Sequence, residues 1–496
     1  MPTLSDTSFA TTLALVGVVV LVAALLSGPI ERWRFPQVAL FLLLGLVLGP
    51  YALGLVDFRL DSSILQSIAT LALVLVLFTD AVSVDVADVR RHRRLAFLVL
   101  GPGTALTAAL IAAAAWALLD LPPAPAAILG AALASTDPVM MRGLLRGGDV
   151  PAPARQALAL ESGLNDIVLL PVVLVTMALL GAEGAEGAEG AGGAAPRLGR
   201  MALDLFVLGP GAGVVIGFVG VALLDGVRRR VPVRRDYESL YALGVAFTAY
   251  AAAEAVHGSG LLAAFAAGLT IAATDTELCD CFLDFGQAAA EMFLLFTFVA
   301  LGSSLIWWGV SEVTWRSLAF AGAALAVRPV VLLAALARSK LDRRSRRLIV
   351  WYGPRGLSAL LLVLLPIFVG LPGAEQLFPP TALVVLLSIV IHGGSLMLIG
   401  KREAGGGKRG PGVSTPDADE ARGAVADRER ISLEELRRLQ AAGERVVLLD
   451  ARKERAYREA ETQAKGAIRL SPDANVAARA AELALPRHAW LVAYCA

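Results

Sequence analysis

About thirteen times between residues 9 and 400 the chain runs apolar for a length that can cross roughly 30 Å of hydrocarbon. Lipid offers backbone N–H and C=O groups no partner, so single stretches of this kind fold as helices. The expected spans are 9–30, 36–56, 62–82, 95–119, 124–145, 154–181, 201–226, 237–256, 259–273, 286–308, 314–338, 347–371 and 378–400. Composition agrees, since 57% of the 496 residues are hydrophobic and only 18% are charged, against about a quarter charged in soluble domains. The fold class is therefore an all-α polytopic membrane protein. The first span is read as a retained helix and not a signal peptide, because it lacks a basic start and a convincing cleavage site before Glu31-Arg32.

The arginines give the spans a direction. They crowd the loops after spans one, three, five, seven, eleven and thirteen, as in Arg90, Arg91, Arg93 and Arg94, or Arg343, Arg344, Arg346 and Arg347. The intervening loops are nearly free of Lys and Arg, so the expected topology has the N-terminus outside and the C-terminus in the cytoplasm. One loop dissents: residues 274–285, TDTELCDCFLDF, are expected on the cytoplasmic side yet are acidic. A net charge of +1 gives no ground for a nucleic-acid partner.

Two changes of composition divide the chain. Gly181 to Ala195, GAEGAEGAEGAGGAA, reads as a flexible tether between spans six and seven. After Gly400 the apolar runs stop, giving an expected division into a membrane domain 1–400, a flexible cytoplasmic linker 401–430 and a small α/β module 431–496. In the module a helix is expected at ISLEELRRLQ with Ser432 as cap and Glu435 at the box position, and strands at RVVLLDAR and WLVAYC.

The chemistry lies in polar residues at membrane depth, where an ionisable side chain costs at least about 2.5 kcal/mol and usually marks an ion or proton path. Span five carries Thr136-Asp137-Pro138 and span six carries Glu161-Ser162-Gly163-Leu164-Asn165-Asp166. Pro138 lacks an N–H, which frees the Ala134 carbonyl, and Asp137 before it is pushed out of helical geometry. The local unwinding presents carbonyls, the Thr136 hydroxyl and the Asp137 carboxylate, all oxygen donors suited to a dehydrated hard cation. On span six Glu161, Ser162, Asn165 and Asp166 share an arc of roughly 140° at about 100° per residue. The plainer alternative for Ser162 and Asn165 is helix-to-helix hydrogen bonding. Span twelve is interrupted by Gly353-Pro354-Arg355-Gly356, and paired interruptions in two halves point to inverted repeats with a site at the midplane. Arg328 and Arg355 each need a carboxylate or freed carbonyls as partner. Glu161 is the natural partner of Arg328, and Arg355 is expected to counter the span-twelve break. His392 and His257 are read as pH sensors or as hydrogen-bonded structural residues.

TDP, then ESxxND, then an Arg-Pro on a late span and GxRG before the final hydrophobic pair, in that order over about residues 10–400, resemble the monovalent cation:proton antiporters of the NhaP/NHE type. The resemblance implies thirteen spans, broken helices, a homodimer in the lipid bilayer, no cofactor, and exchange of Na⁺, with K⁺ or Li⁺ as alternatives, for H⁺. It implies a cation site of Asp137, Asp166, Ser162 and Thr136, where cation and proton compete, with Asn165 organising Glu161 and Arg328. Asn-Asp at 165–166 resembles the electroneutral branch. The competing readings are a cation channel and a membrane-anchored sulfur-handling enzyme. Residues 431–496 resemble the first half of a rhodanese-like domain, in which Cys495 would be the persulfide residue. Its anion-binding loop does not follow in this sequence, so the tail is expected to be an incomplete, inactive module. Cys279 and Cys281 are read as ordinary loop residues.

Overall fold

A computed structural model describes residues 36–84, 93–137, 150–185, 194–231, 235–274, 276–337 and 341–395, with 17–22, 25, 140–141, 233 and 339. Towards the C-terminus it describes 436–439, 442–452, 457, 462–470, 483 and 489–494. The chain divides into two compact units, Met1–Lys408 and Arg409–Ala496.

The first unit is helical. Its main helices are α1 (Gln37–Leu48), α2 (Ser63–Val82), α3 (Ala105–Leu119), α4 (Pro123–Ala134), α5 (Ala152–Ala185), α6 (Gly209–Arg228), α7 (Arg235–Ala255), α8 (Gly260–Thr274), α9 (Thr276–Ala300), α10 (Trp315–Ala335), α11 (Arg343–Trp351), α12 (Leu357–Phe368) and α13 (Phe378–Ser388). Helix is described within each of the thirteen expected stretches. Seven helices among the described residues are long and apolar enough to cross a membrane, and α1, α4, α8 and α12 are shorter apolar helices. Two of these short helices, α4 and α12, stop or start at the interruptions read from Asp137-Pro138 and Gly353–Gly356.

Small residues let the helices approach closely, as is usual in membrane bundles. On α6, Gly213 faces the Ala263 backbone and Gly217 the Ala267 backbone of α8, so a side chain at Gly213 would collide with backbone. Gly45 of α1 similarly lies against Val299 and Gly302, where α9 continues into a widened turn, Leu301–Leu305.

Three expectations about connections are corrected. Residues 276–285 are not a loop: α9 begins at Thr276 and runs unbroken through them, since nothing from Thr276 to Phe285 breaks a helix and Gly286 costs only about 1 kcal/mol. Cys279 and Cys281 therefore sit on a helix. Part of the Gly181–Ala195 tether is also helical, because α5 extends to Ala185 and helix resumes at Ala194. Alanine and glutamate are strong helix formers and outweigh the interspersed glycines. Finally, span two ends early, at Leu48, where the extended Gly49 and then Pro50 stop α1.

The second unit contains a parallel sheet of three strands, β1 (Val446–Asp450), β2 (Ile468–Arg469) and β3 (Trp490–Tyr494), in the order β2-β1-β3. Strands were expected at the two outer segments of sequence, and β2 adds a third pairing. At the carboxyl end of the central strand the fully buried Asp450 meets Arg452 through Oδ1 at 2.9 Å and Oδ2 at 2.6 Å. Tyr494 donates to the same carboxylate at 2.9 Å, and the Arg469 guanidinium stands 3.9 Å away. Ser432, Glu435 and Cys495 lie outside the described residues.

Candidate functional site

Two helix interruptions meet in the first unit, and each supplies what the other lacks. The helix α4 ends at Ala134, and Ser135 turns extended with φ −63° and ψ 136°. Ser135, Thr136 and Asp137 are all buried; Pro138 lies outside the described residues. The helix α11 ends at Trp351, Tyr352 is extended, and α12 restarts only at Leu357. The first N–H groups of a helix and its last carbonyls have no partner within it. Here Asp137 Oδ2 accepts the N–H of Leu357 at 2.8 Å, an N-terminal cap delivered from another helix. In return Arg355 Nη1 donates to the carbonyl oxygens of Ala134 at 2.7 Å and Ser135 at 3.0 Å, closing the end of α4. Asp137 N–H donates to the Pro354 carbonyl at 3.0 Å, so backbone joins backbone across the crossing.

The Gly-Pro-Arg-Gly segment makes room for this. A Cβ at Gly353 would be driven into the Arg328 guanidinium, and one at Gly356 into the Asp137 carboxylate. Both glycines are needed for close approach by a charged group.

Alongside the crossing runs α5. Glu161 and Arg328 form a two-point ion pair, Nε to Oε1 at 2.7 Å and Nη2 to Oε2 at 2.6 Å. Arg328 Nη1 also donates to the Val350 carbonyl at 3.1 Å, on the last turn of α11. The partnership expected from sequence is thus formed. One turn on, Asp166 Oδ1 accepts from the Ser135 hydroxyl at 3.1 Å. Asp137, Glu161, Asn165, Asp166, Arg328 and Arg355 are each no more than 5% exposed.

Two expected roles change in this geometry. Asn165 does not organise Glu161 and Arg328: its amide donates to Thr136 Oγ1 at 3.0 Å and also reaches the Thr136 carbonyl and Ser135 Oγ, both at 3.4 Å. Glu161 and Arg328 already saturate one another in bidentate geometry, which leaves Asn165 to tie α5 to the unwound stretch. Arg355 serves the break in α4 rather than its own. Ser162 donates to the Ala159 carbonyl at 3.3 Å within α5, which leaves its oxygen lone pairs open. Ser135 was missed by motif reading; its only signal is that it extends the polar run Ser-Thr-Asp at the break by one residue. Beside α5, a cavity of about 360 Å³ opens between Ser83 and the Arg155, Ala159 and Gly163 positions, one helical turn from Asp166.

The profile of the family described as "Sodium/hydrogen exchanger, transmembrane" matches residues 17–402. The K(+)/H(+) antiporter NhaP2 of Shewanella sp. (strain MR-4) is 28% identical over 377 residues, 76% of this chain and 64% of the relative. The K(+)/H(+) antiporter NhaP of Alkalimonas amylolytica is 24% identical over 388 residues, 78% of this chain and 65% of the relative. The chain therefore spans just under two thirds of the length of these curated relatives. Among solved structures, the sodium proton antiporter MjNhaP1 from Methanocaldococcus jannaschii at pH 8 superposes with a TM-score of 0.61 at 19% identity, covering 79% of this chain and 98% of that one. At that identity the likeness establishes a shared fold.

Proposed function

The chain belongs to the sodium/hydrogen exchanger family, as its ordered motifs implied, and on that basis we propose that it exchanges one monovalent cation for one proton across a membrane. The observation that carries the reading is a charge imbalance. Among the described buried residues of the membrane unit there are three carboxylates, Asp137, Glu161 and Asp166, and two guanidinium groups, Arg328 and Arg355. One negative charge is left over. An uncompensated buried carboxylate is costly, so the site holds either a proton or a monovalent cation, and each excludes the other.

The imbalance falls on Asp166. Glu161 is neutralised by Arg328, and Asp137 is held by the α12 backbone N–H. Among the described residues Asp166 has a single hydrogen-bond partner, the neutral hydroxyl of Ser135. In this reading Asp166 and Asp137 supply carboxylate oxygens to the cation, and Ser162 and Thr136 supply neutral ones. Glu161, Arg328 and Arg355 balance charge, and Asn165 positions Thr136. Exchange of one proton for one such ion at a single site moves no net charge. No resident cofactor and no catalytic residue are assigned, since the family is one of transporters. Na⁺ and K⁺ are both candidates: the curated relatives are named as K⁺/H⁺ antiporters and the structural neighbour as a sodium proton antiporter.

The reading extends to the whole chain as follows. Residues 1–400 form the transport domain, 401–430 a linker and 431–496 a rhodanese-like module. The protein works as a homodimer in the cytoplasmic membrane, with its N-terminus outside. A channel is disfavoured because a continuous pore needs water-lined, open groups, whereas Asp137, Asp166 and the Glu161–Arg328 pair are all buried.

The test is proton flux in proteoliposomes under an imposed pH gradient, with Na⁺, K⁺ or Li⁺ added in turn, with and without a clamped potential. Collapse of the gradient that ignores the potential supports electroneutral exchange and names the ion. Cation leak without proton movement would move the assignment to a channel.

A further inference from the structure

Behind the crossing, the last helix grips the Tyr352–Gly356 break from both sides. Inside the break, the N–H of Arg355 is buried and has no helical carbonyl to serve. It donates instead to Ser388 Oγ on α13 at 2.7 Å. Ser388 is fully buried, and its hydroxyl lies 3.1 Å from Nδ1 of His392 one turn later, itself only 7% exposed. The same Nδ1 lies 3.1 Å from the Ser388 carbonyl oxygen. A carbonyl oxygen only accepts, so Nδ1–H donates to it, and the ring is fixed against the Ser388 turn. That turn is widened, of π type, over Ile389–Gly393. Before the break, Trp351 closes α11; its ring stands 5.9 Å from the His392 ring and its Nε1–H donates to Ser395 Oγ at 3.2 Å.

We propose that Ser388 and His392 are positioning residues for the exchange site. They fix the backbone of residues 352–356, and so determine where Arg355 meets Ala134 and Ser135 and where the Leu357 N–H meets Asp137. Neither residue touches Asp166 or the neutral oxygens assigned to the cation, and neither belongs to the motifs that carry the family resemblance. The physical reason is that a buried donor in a non-helical segment must be satisfied. Once Ser388 is lost, the Arg355 N–H has no other acceptor among the described residues, and the backbone from which its side chain reaches Ala134 and Ser135 is no longer pinned. His392 acts one step further back, through the rotamer of Ser388 and the tilted ring contact with Trp351.

This inference rests on the antiport reading for its effect on transport, and its structural part can be read separately. Ser388→Ala removes the acceptor, His392→Leu removes the ring nitrogens, and His392→Asn keeps a donor at the Nδ1 position without a titratable group. In proteoliposomes the first two variants should raise the cation KM by about five-fold, the scale of one hydrogen bond, with a smaller change in maximal rate. His392→Asn should return the KM to near the wild-type value. Amide hydrogen exchange on the purified full chain should be faster at Arg355 and Leu357 in Ser388→Ala and His392→Leu, and protected in His392→Asn. Unchanged amide protection in Ser388→Ala overturns the proposal, as does a His392→Asn variant as impaired as His392→Leu. Should the wild type itself show no exchange, the antiport reading falls, and the amide measurement still decides whether α13 holds the break.

Discussion

The two units each bury an acid beside arginine, and they use the arrangement in opposite ways. At the end of β1, Asp450 is saturated: Arg452 meets both of its oxygens, Tyr494 adds a hydroxyl and Arg469 stands nearby. The acid there is fully met, by two guanidinium groups of which Arg469 is the more exposed, and the cluster is a clamp on the sheet. At the helix crossing the acids outnumber the arginines by one, and Arg355 is spent on carbonyl oxygens of Ala134 and Ser135 rather than on a carboxylate. The lesson is that a buried charge cluster declares its use through its remainder. A set in which every acid is met stabilises a fold, whereas a set with one acid over holds a place for an ion that comes and goes.

The sharpest way to break this comparison is to remove the remainder. Asp166→Asn should abolish cation-driven proton flux while the variant stays folded, as read by its melting curve in detergent. Full pH-driven cation uptake by that variant would falsify the assignment. Next is geometry without charge. Gly356→Ala pushes a methyl group into the Asp137 carboxylate, and displacing a reacting group by about 1 Å can cost up to about 100-fold in rate. Gly322→Ala, where a Cβ meets open space, should leave flux unchanged in the same assay.

A third measurement asks whether the paired charges of the membrane unit behave like a clamp. Arg328→Ala strands Glu161 and should lower stability by about 3 to 5 kcal/mol, seen as a fall in melting temperature. Replacing both partners, Glu161→Gln with Arg328→Met, should recover most of it. The smallest effect belongs to the tail. The Arg452 side chain, hydrogen-bonded to Asp450, holds that carboxyl down at about 2, against an unfolded value near about 3.9. The contribution is therefore complete above about pH 4 and is lost as the pH falls toward about 2. Amide protection of β1 in the full chain should decline over that window, and Asp450→Asn should flatten the decline.

Much of this was legible in the sequence, for identifiable reasons. The break at Asp137 follows from the ring of Pro138, and the partnership of Glu161 with Arg328 from the cost of an unpaired cation in lipid. Both are local or forced. Hidden from the sequence was the crossing itself: nothing along the chain says that Arg355 serves the carbonyls 220 residues earlier, or that Asp137 caps α12. Motif reading gave Arg355 to its own break because the two interruptions look alike. Ser135 and Ser388 escaped for a related reason, since a serine in a membrane helix usually bonds its own helix, as Ser162 does. The acidic stretch before span ten was taken for a loop because charge was weighed there and helix propensity was not.

The reciprocal capping at the crossing also bears on motion. Sliding α4 past α12 would part the Asp137–Leu357 and Asp137–Pro354 bonds together with both Arg355 bonds, leaving several buried polar groups unsatisfied at once. The two broken helices are in effect riveted. If the site is to face first one side of a membrane and then the other, they travel as a single piece, and the slip plane lies at the outer edge of that piece. The fracture in each helix, which looks like the weakest point of the fold, is what welds the moving part.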